Sequence, residues 1–202
     1  LAFTTTNTLN ALFSAQPTVA LDGGLTFTPA PNAFGTATVT VTLQDNGGVA
    51  NGGVDTTAKT FTIELTPVND APVLTHPTSA TLQNNGTASV AGISVADPDG
   101  QTMSVTLTAT STATLATTAG ITMTAGANGK NSRVFSGLVA DVNAALASVT
   151  YVKSAGQTTG MSLTIPVSDG TLTDTGVVTL MSNSQPPVAN TDRVSVAQGV
   201  AQ

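Results

Sequence analysis

Apolar residues recur at every second position in short runs along this sequence. Val39, Val41 and Leu43 alternate with threonines, Phe61, Ile63 and Leu65 with Thr62 and Glu64, and the pattern returns at Leu163, Ile165 and Val167. A period of two sets one side of an extended chain in a core and the other in water, so each run predicts a half-buried β-strand. Asn-Gly, Asp-Gly and Gly-Gly pairs separate the runs at a spacing of about ten residues, the pattern of a sandwich. Strands are expected at 1–6, 17–21, 25–29, 37–44, 58–66, 73–75, 79–83, 88–96, 101–109, 120–124, 133–136, 149–153, 161–168 and 174–181. One segment departs from this period. In 138–149, Leu138, Val142, Leu146 and Val149 recur at spacings of four, four and three among good helix formers, which predicts a short helix covering the sandwich.

The sequence also repeats. Residues 25–45 (LTFTPAPNAFGTATVTVTLQD) and 149–169 (VTYVKSAGQTTGMSLTIPVSD) each run from an aromatic strand through a Gly-containing loop and an alternating strand to a closing Asp. Phe27 to Asp45 and Tyr151 to Asp169 both span 18 positions. Each copy continues into one more alternating strand and then a Pro-Val step, Pro72-Val73 or Pro187-Val188. Proline cannot join a central ladder and restricts the residue before it, so these steps read as boundaries. Three parts are expected: 1–69 as the C-terminal part of a β-sandwich module, 70–183 as a complete one, and 184–202 as a linker and the first strand of another. The fold class is all-β, tandem Greek-key sandwiches with one short helix in the second. The chain opens on Leu1 without a basic leader, so it is expected to be a processed or excised piece.

Composition narrows the function. Thr makes up about a fifth of the 202 residues, Trp and Cys are absent, and only 8% of residues are charged, against about 25% in ordinary soluble domains. Five Lys and Arg cannot form a phosphate-neutralising stripe, so nucleic acid is not expected as a partner. No apolar run reaches the length of a membrane span. Without Cys, and with His76 alone, thiol chemistry and a multi-His zinc centre are excluded.

The acids are ten Asp and one Glu, and the Asp sit in turns, where their side chains cap the backbone. In a Greek-key sandwich, however, three of these segments meet at one end: Asn69 and Asp70 at the start of the complete module, Asp97 and Asp99 of ADPDG, and Asp169 of SDG. Like charges so placed repel, and Ca²⁺, which takes six to eight oxygen ligands, is their natural neutraliser.

The motifs VNDAP, ADPDG and SDG, together with LVADVNAALASVTY, resemble the cadherin-like and immunoglobulin-like tandem repeats of large secreted bacterial surface proteins, including RTX-type adhesins. The resemblance covers nearly the whole chain. It implies an extracellular, non-catalytic extension module whose junction with a neighbouring module of the same chain is stiffened by Ca²⁺. The residues matching the metal-binding pattern are Asn69, Asp70, Asp97, Asp99 and Asp169, with Asp45 facing a junction before the first module. Two departures weaken the match. The first module shows no acidic DRE-type loop, and Ser184 and Gln185 stand in the second linker where the first has Asn69 and Asp70.

Other features read as structural. Asn85-Gly86-Thr87 fits a glycosylation sequon but is first a hairpin turn. His76 has no nucleophile elbow to serve, and Asp22, Asp55, Asp141, Asp174 and Asp192 have no catalytic partner nearby in sequence. Lys59, Lys130 and Lys153 lack the Glu that an internal Lys-Asn isopeptide crosslink would need. Two rival functions remain: a module binding a glycan or host-surface protein through loops 46–55 and 125–132, and a filament subunit exchanging strands with identical chains.

Overall fold

In the computed structural model, residues 1–100 and 102–183 are described, and the expected part 184–202 lies outside them. The N-terminal unit contains β1 (Ala2–Asn7), β2 (Phe13–Val19), β3 (Leu25–Pro29), β4 (Gly35–Gln44) and β5 (Thr56–Leu65). They form a sheet of order β1-β4-β5 and a β2-β3 hairpin. Leu12, Phe13, Ala37, Val39 and Ile63 are buried together between them, with Val41, Phe61 and Leu65 half-buried alongside.

The C-terminal unit contains β6 (Val73–Thr75), β7 (Ser79–Thr81), β8 (Thr87–Ser89), β9 (Ser94–Ala96), β10 (Thr102–Ala109), β11 (Thr112–Leu115), β12 (Ile121–Gly126) and β13 (Ser132–Leu138). After them come α1 (Val139–Ala147), β14 (Val149–Val152), β15 (Ser162–Ser168) and β16 (Thr173–Met181). A six-stranded sheet, β12-β13-β10-β15-β16-β7, faces the three-stranded sheet β11-β14-β8, and β6 pairs with β9. The chain is an all-β sandwich protein. In this unit the period-two pattern is expressed in full: Val105 and Leu107, Leu163, Ile165 and Val167, and Val178 and Leu180 all point into one core. Among the described residues no helix is long and apolar enough to cross a membrane.

Several local expectations change. The expected strand 88–96 is two strands, because Gly92 adopts φ +81° and turns the chain between β8 and β9. The expected strand 17–21 is the tail of β2, which begins at Phe13, and β11 was not expected. The helix spans Val139–Ala147, three residues shorter than the expected 138–149, and buries Val142, Ala145 and Leu146.

The registers extend the sequence repeat to four strands, β3 matching β14 through Phe27 and Tyr151. Gln44 pairs with Ala2 and with Thr56, while Ser168 pairs with Ser104 and with Thr173. Thus β4 corresponds to β15 at a separation of 124 positions, β5 to β16 at 117, and β1 to β10 at 102. The 22 positions by which 124 exceeds 102 fall between β10 and β14, where β12, β13 and α1 lie. In the N-terminal unit the shorter stretch between β1 and β3 holds β2.

Candidate metal centre

The linker 66–72 leaves β5 and leads into β6, and its polar residues meet two turns of the C-terminal unit. The backbone N–H of Asp70 donates to Asp99 Oδ2 at 2.9 Å, and the N–H of Asp99 donates to Asp97 Oδ1 at 2.8 Å. Asn69 Nδ2 donates to Asp169 Oδ2 at 2.8 Å and to the Asp70 carbonyl at 3.2 Å. The five residues singled out in the sequence therefore meet in two linked groups, Asp70 with Asp97 and Asp99, and Asn69 with Asp169. Asp45 is elsewhere. It lies in the β4-β5 hairpin, where its N–H donates to Asp55 C=O and its Oδ1 accepts from Gly47 N–H, at the end of β5 opposite the linker.

The carboxylates of Asp97, Asp99 and Asp169 each accept a backbone N–H. Asp169 Oδ1 accepts the N–H groups of Thr171 and Leu172 at 2.6 and 2.7 Å, closing the β15-β16 turn. The Leu172 N–H, the Asn69 amide and the Thr171 N–H hold its carboxyl below the usual carboxylate range, because each hydrogen bond favours the ionised form. Asp97 differs from its neighbours: its Oδ2 is buried and has no hydrogen-bond partner. A buried carboxylate oxygen without a donor is costly, and a cation or water satisfies it. Among the described residues there is no group of three or more His, Cys, Asp or Glu gathered closely enough to hold a metal by themselves. Of these residues, Asp97 through Oδ2 and Asp99 are the ones that could hold a cation, and carboxylate oxygens suit Ca²⁺ better than a soft transition metal.

The N-terminal unit contributes a wall. Asn32, Ala33 and Phe34 of the β3-β4 loop, with Thr66, Pro67 and Val68 of the linker, enclose a cleft that also includes Asp70 and Asp99. Asn32 holds the left-handed conformation, φ +56°, that turns this loop toward the linker. Sequence reasoning missed Asn32, although Pro-Asn in APNAF is a turn signal. It also passed over Asp174, whose Oδ2 accepts the Leu74 N–H at 2.8 Å and fastens β6 beside β16.

No protein-family model matches the sequence, and no curated protein matches it. Solved structures superpose loosely. Domains 4 and 5 of the S-layer protein SbsC align at 18% identity and TM-score 0.32, covering 89% of this chain and 70% of that one. Sidekick-1 immunoglobulin domains 1-5 align at 15% identity and TM-score 0.32, covering 89% and 33%. An endo-fucoidan hydrolase of glycoside hydrolase family 107 aligns at 18% identity and TM-score 0.28, covering 91% and 24%. These scores assign neither family nor function to the chain.

Proposed function

We propose that this chain is a non-catalytic extension segment of an extracellular surface protein, in which tandem β-sandwiches are held in line by Ca²⁺ at the 66–73 junction. The observation that carries the metal reading is the buried, unpartnered Asp97 Oδ2 in a turn whose Asp99 grips the linker. Asp97 and Asp99 would hold the ion, with Asp70, Asn69 and Asp169 flanking it and Asp45 uninvolved. The bound ion supplies only positive charge and oxygen coordination; the chain does the rest.

The mechanics follow from the linker. Two sandwiches joined by seven residues swivel unless something restrains them, and a divalent cation between the linker and the 97–99 turn adds a restraint that polar hydrogen bonds at a wet surface supply weakly. A site with few carboxylates suits the about 10⁻⁴ to 10⁻³ M affinity of extracellular modules. Small-angle scattering in Ca²⁺ and in chelator tests this directly. The expected result is a longer, narrower distance distribution in Ca²⁺; identical curves would remove calcium from the account while leaving the sandwiches.

A further inference from the structure

Among the described residues, Arg133 is the only charged side chain that is buried. It alternates with Phe135 on the inward face of β13, is 1% exposed, and has Leu107 of β10 opposite it on one side and Gly126 of β12 on the other. Enclosing a cation is costly unless its charge is paired and its N–H groups find acceptors. Arg133 meets these needs only in part. Its Nη1 donates to Lys130 C=O at 2.9 Å, while Nε and Nη2 are buried without a partner. Burial alone lowers its pKa, with no carboxylate raising it, so the protein groups leave the charge uncompensated.

The two unpartnered groups form one fork. In a planar guanidinium, Nε–H and one N–H of Nη2 project side by side from the same edge, the edge with which arginine grips an anion through two parallel hydrogen bonds. The 127–131 loop bridges the two sheets beside it. Asn128 fastens the loop to β11, donating Nδ2–H to Leu115 C=O at 2.7 Å and accepting the Leu115 N–H at 2.8 Å on Oδ1. Lys130 C=O accepts from the Ala113 N–H at 3.4 Å as well as from Arg133. Gly126 makes room for the arginine stem. It holds φ +69°, and a β-carbon there would meet Ser132 C=O at 2.4 Å and Arg133 Cβ at 3.2 Å.

We propose that Arg133 Nε and Nη2 bind a halide ion, chloride being the abundant one, beside the 127–131 loop, and that the ion locks this loop to β11. The enclosure selects the occupant. A bulky carboxylate or phosphate ligand would have to part the sandwich to reach the fork, whereas a monatomic anion needs only the loop to open. A halide accepts from both N–H groups at once and brings the counter-charge that the protein groups omit. Water accepts the same hydrogen bonds but leaves the cation unpaired, the costlier arrangement in a core. The ion's release requires the loop to lift from β11, so binding stabilises the hydrogen bonds that Asn128 makes to Leu115. The inference rests on Arg133 and is independent of calcium.

NMR of the 202-residue chain in EDTA, titrated with sodium chloride against sodium gluconate at constant ionic strength, tests it; gluconate is too large for the enclosed fork. The expected result is a saturable shift of the Arg133 Nε–H resonance. At a chloride concentration about ten times the midpoint, the Leu115 amide should exchange about tenfold more slowly than in gluconate, the factor that linkage gives when the ion must leave before the loop opens. Arg133→Met should abolish the Leu115 response. An Nε–H that ignores chloride, or drifts without saturating, overturns the proposal; its protection from exchange in both salts would assign the fork to water. A Leu115 response that persists in Arg133→Met also overturns it, because the anion then acts elsewhere. Should that variant not fold, bromide in crystals of the parent chain decides. An anomalous peak within hydrogen-bonding distance of Nε and Nη2 supports the site, and a map without one overturns it.

Discussion

The backbone N–H of Asp70 donates to Asp99 Oδ2 over 2.9 Å and so ties the linker to a turn 29 positions further along the chain. This bond and the Asn69 to Asp169 bond bring the start of the C-terminal unit against two of its turns before any cation is considered. Hydrogen bonds to a charged acceptor contribute about 1.5–3 kcal/mol when sheltered, and less at a half-exposed site. Asp99→Ala is expected to destabilise the C-terminal unit by about 1 kcal/mol, read as a lower urea midpoint, and to speed exchange of the Asp70 amide. An Asp70 amide that exchanges equally fast in both proteins would contradict the tie.

The junction should also respond to acid. Hydrogen bonds from Leu172, Asn69 and Thr171 depress the Asp169 pKa below its unfolded value of about 3.9. The stabilisation is therefore present above that unfolded pKa and is lost as pH falls through the lower, folded pKa. A carboxyl-carbon NMR titration should place Asp169 below the ordinary range, and Asn69→Ala should move it part of the way back up. Leu172 and Thr171 would keep the remainder of the shift.

Gly176 on β16 lies directly under the His76 ring. A β-carbon there would meet His76 Nε2 at 2.6 Å and Leu74 Cδ2 at 2.8 Å, with His76 Cδ2 closer still. Overpacking of this kind costs about 1–3 kcal/mol. Gly176→Ala should destabilise by about that amount, and His76→Ala in the same chain should recover part of it, giving a non-zero coupling in a double-mutant cycle. Additive effects would mean that β6 is not clamped on β16 through this pair.

Arg133 is a buried cation on β13. Its Nη1 donates to Lys130 C=O at 2.9 Å, while Nε and Nη2 are buried without a partner, and burial lowers its pKa. An unpaired buried charge is a poor contributor to stability, and an apolar replacement of similar length is often neutral or stabilising. In halide-free gluconate, Arg133→Met is expected to leave the urea midpoint unchanged or raise it. A loss of about 3 kcal/mol or more there would show that the guanidinium has a partner, other than a halide, that the protein groups do not provide.

The strands of the repeat were legible because a period of two survives in any window: Leu163, Ile165 and Val167 announce a buried face, and the fully buried core confirms it. The same pattern at Val39, Val41 and Leu43 overstates the burial, since only Val39 is fully enclosed and the core thins toward Asp45. β11 was hidden in TLTATSTATLATTAG, where Ala and Thr carry too little hydrophobic contrast to show a period. The side chains that replace ladder bonds were equally hidden. Asn143 of α1 both donates to and accepts from the Val95 backbone, 48 positions away, and Asn128 does the same for Leu115. At the junction, residue types were readable, but the division of five residues into two groups was not, because Asn69 and Asp169 are 100 positions apart.

The measurement closest to the central claim is a thermal melt of the chain in EDTA and in millimolar Ca²⁺, beside the variant Asp97→Ala/Asp99→Ala. For a site of about 10⁻⁴ M affinity, millimolar Ca²⁺ adds about 1–2 kcal/mol, a rise of several degrees in a unit of this size. The account predicts that rise in the parent chain and its loss in the variant. An equal melting temperature in EDTA and Ca²⁺, or an equal rise in the variant, would contradict calcium at this junction and leave Asp97 and Asp99 as turn formers.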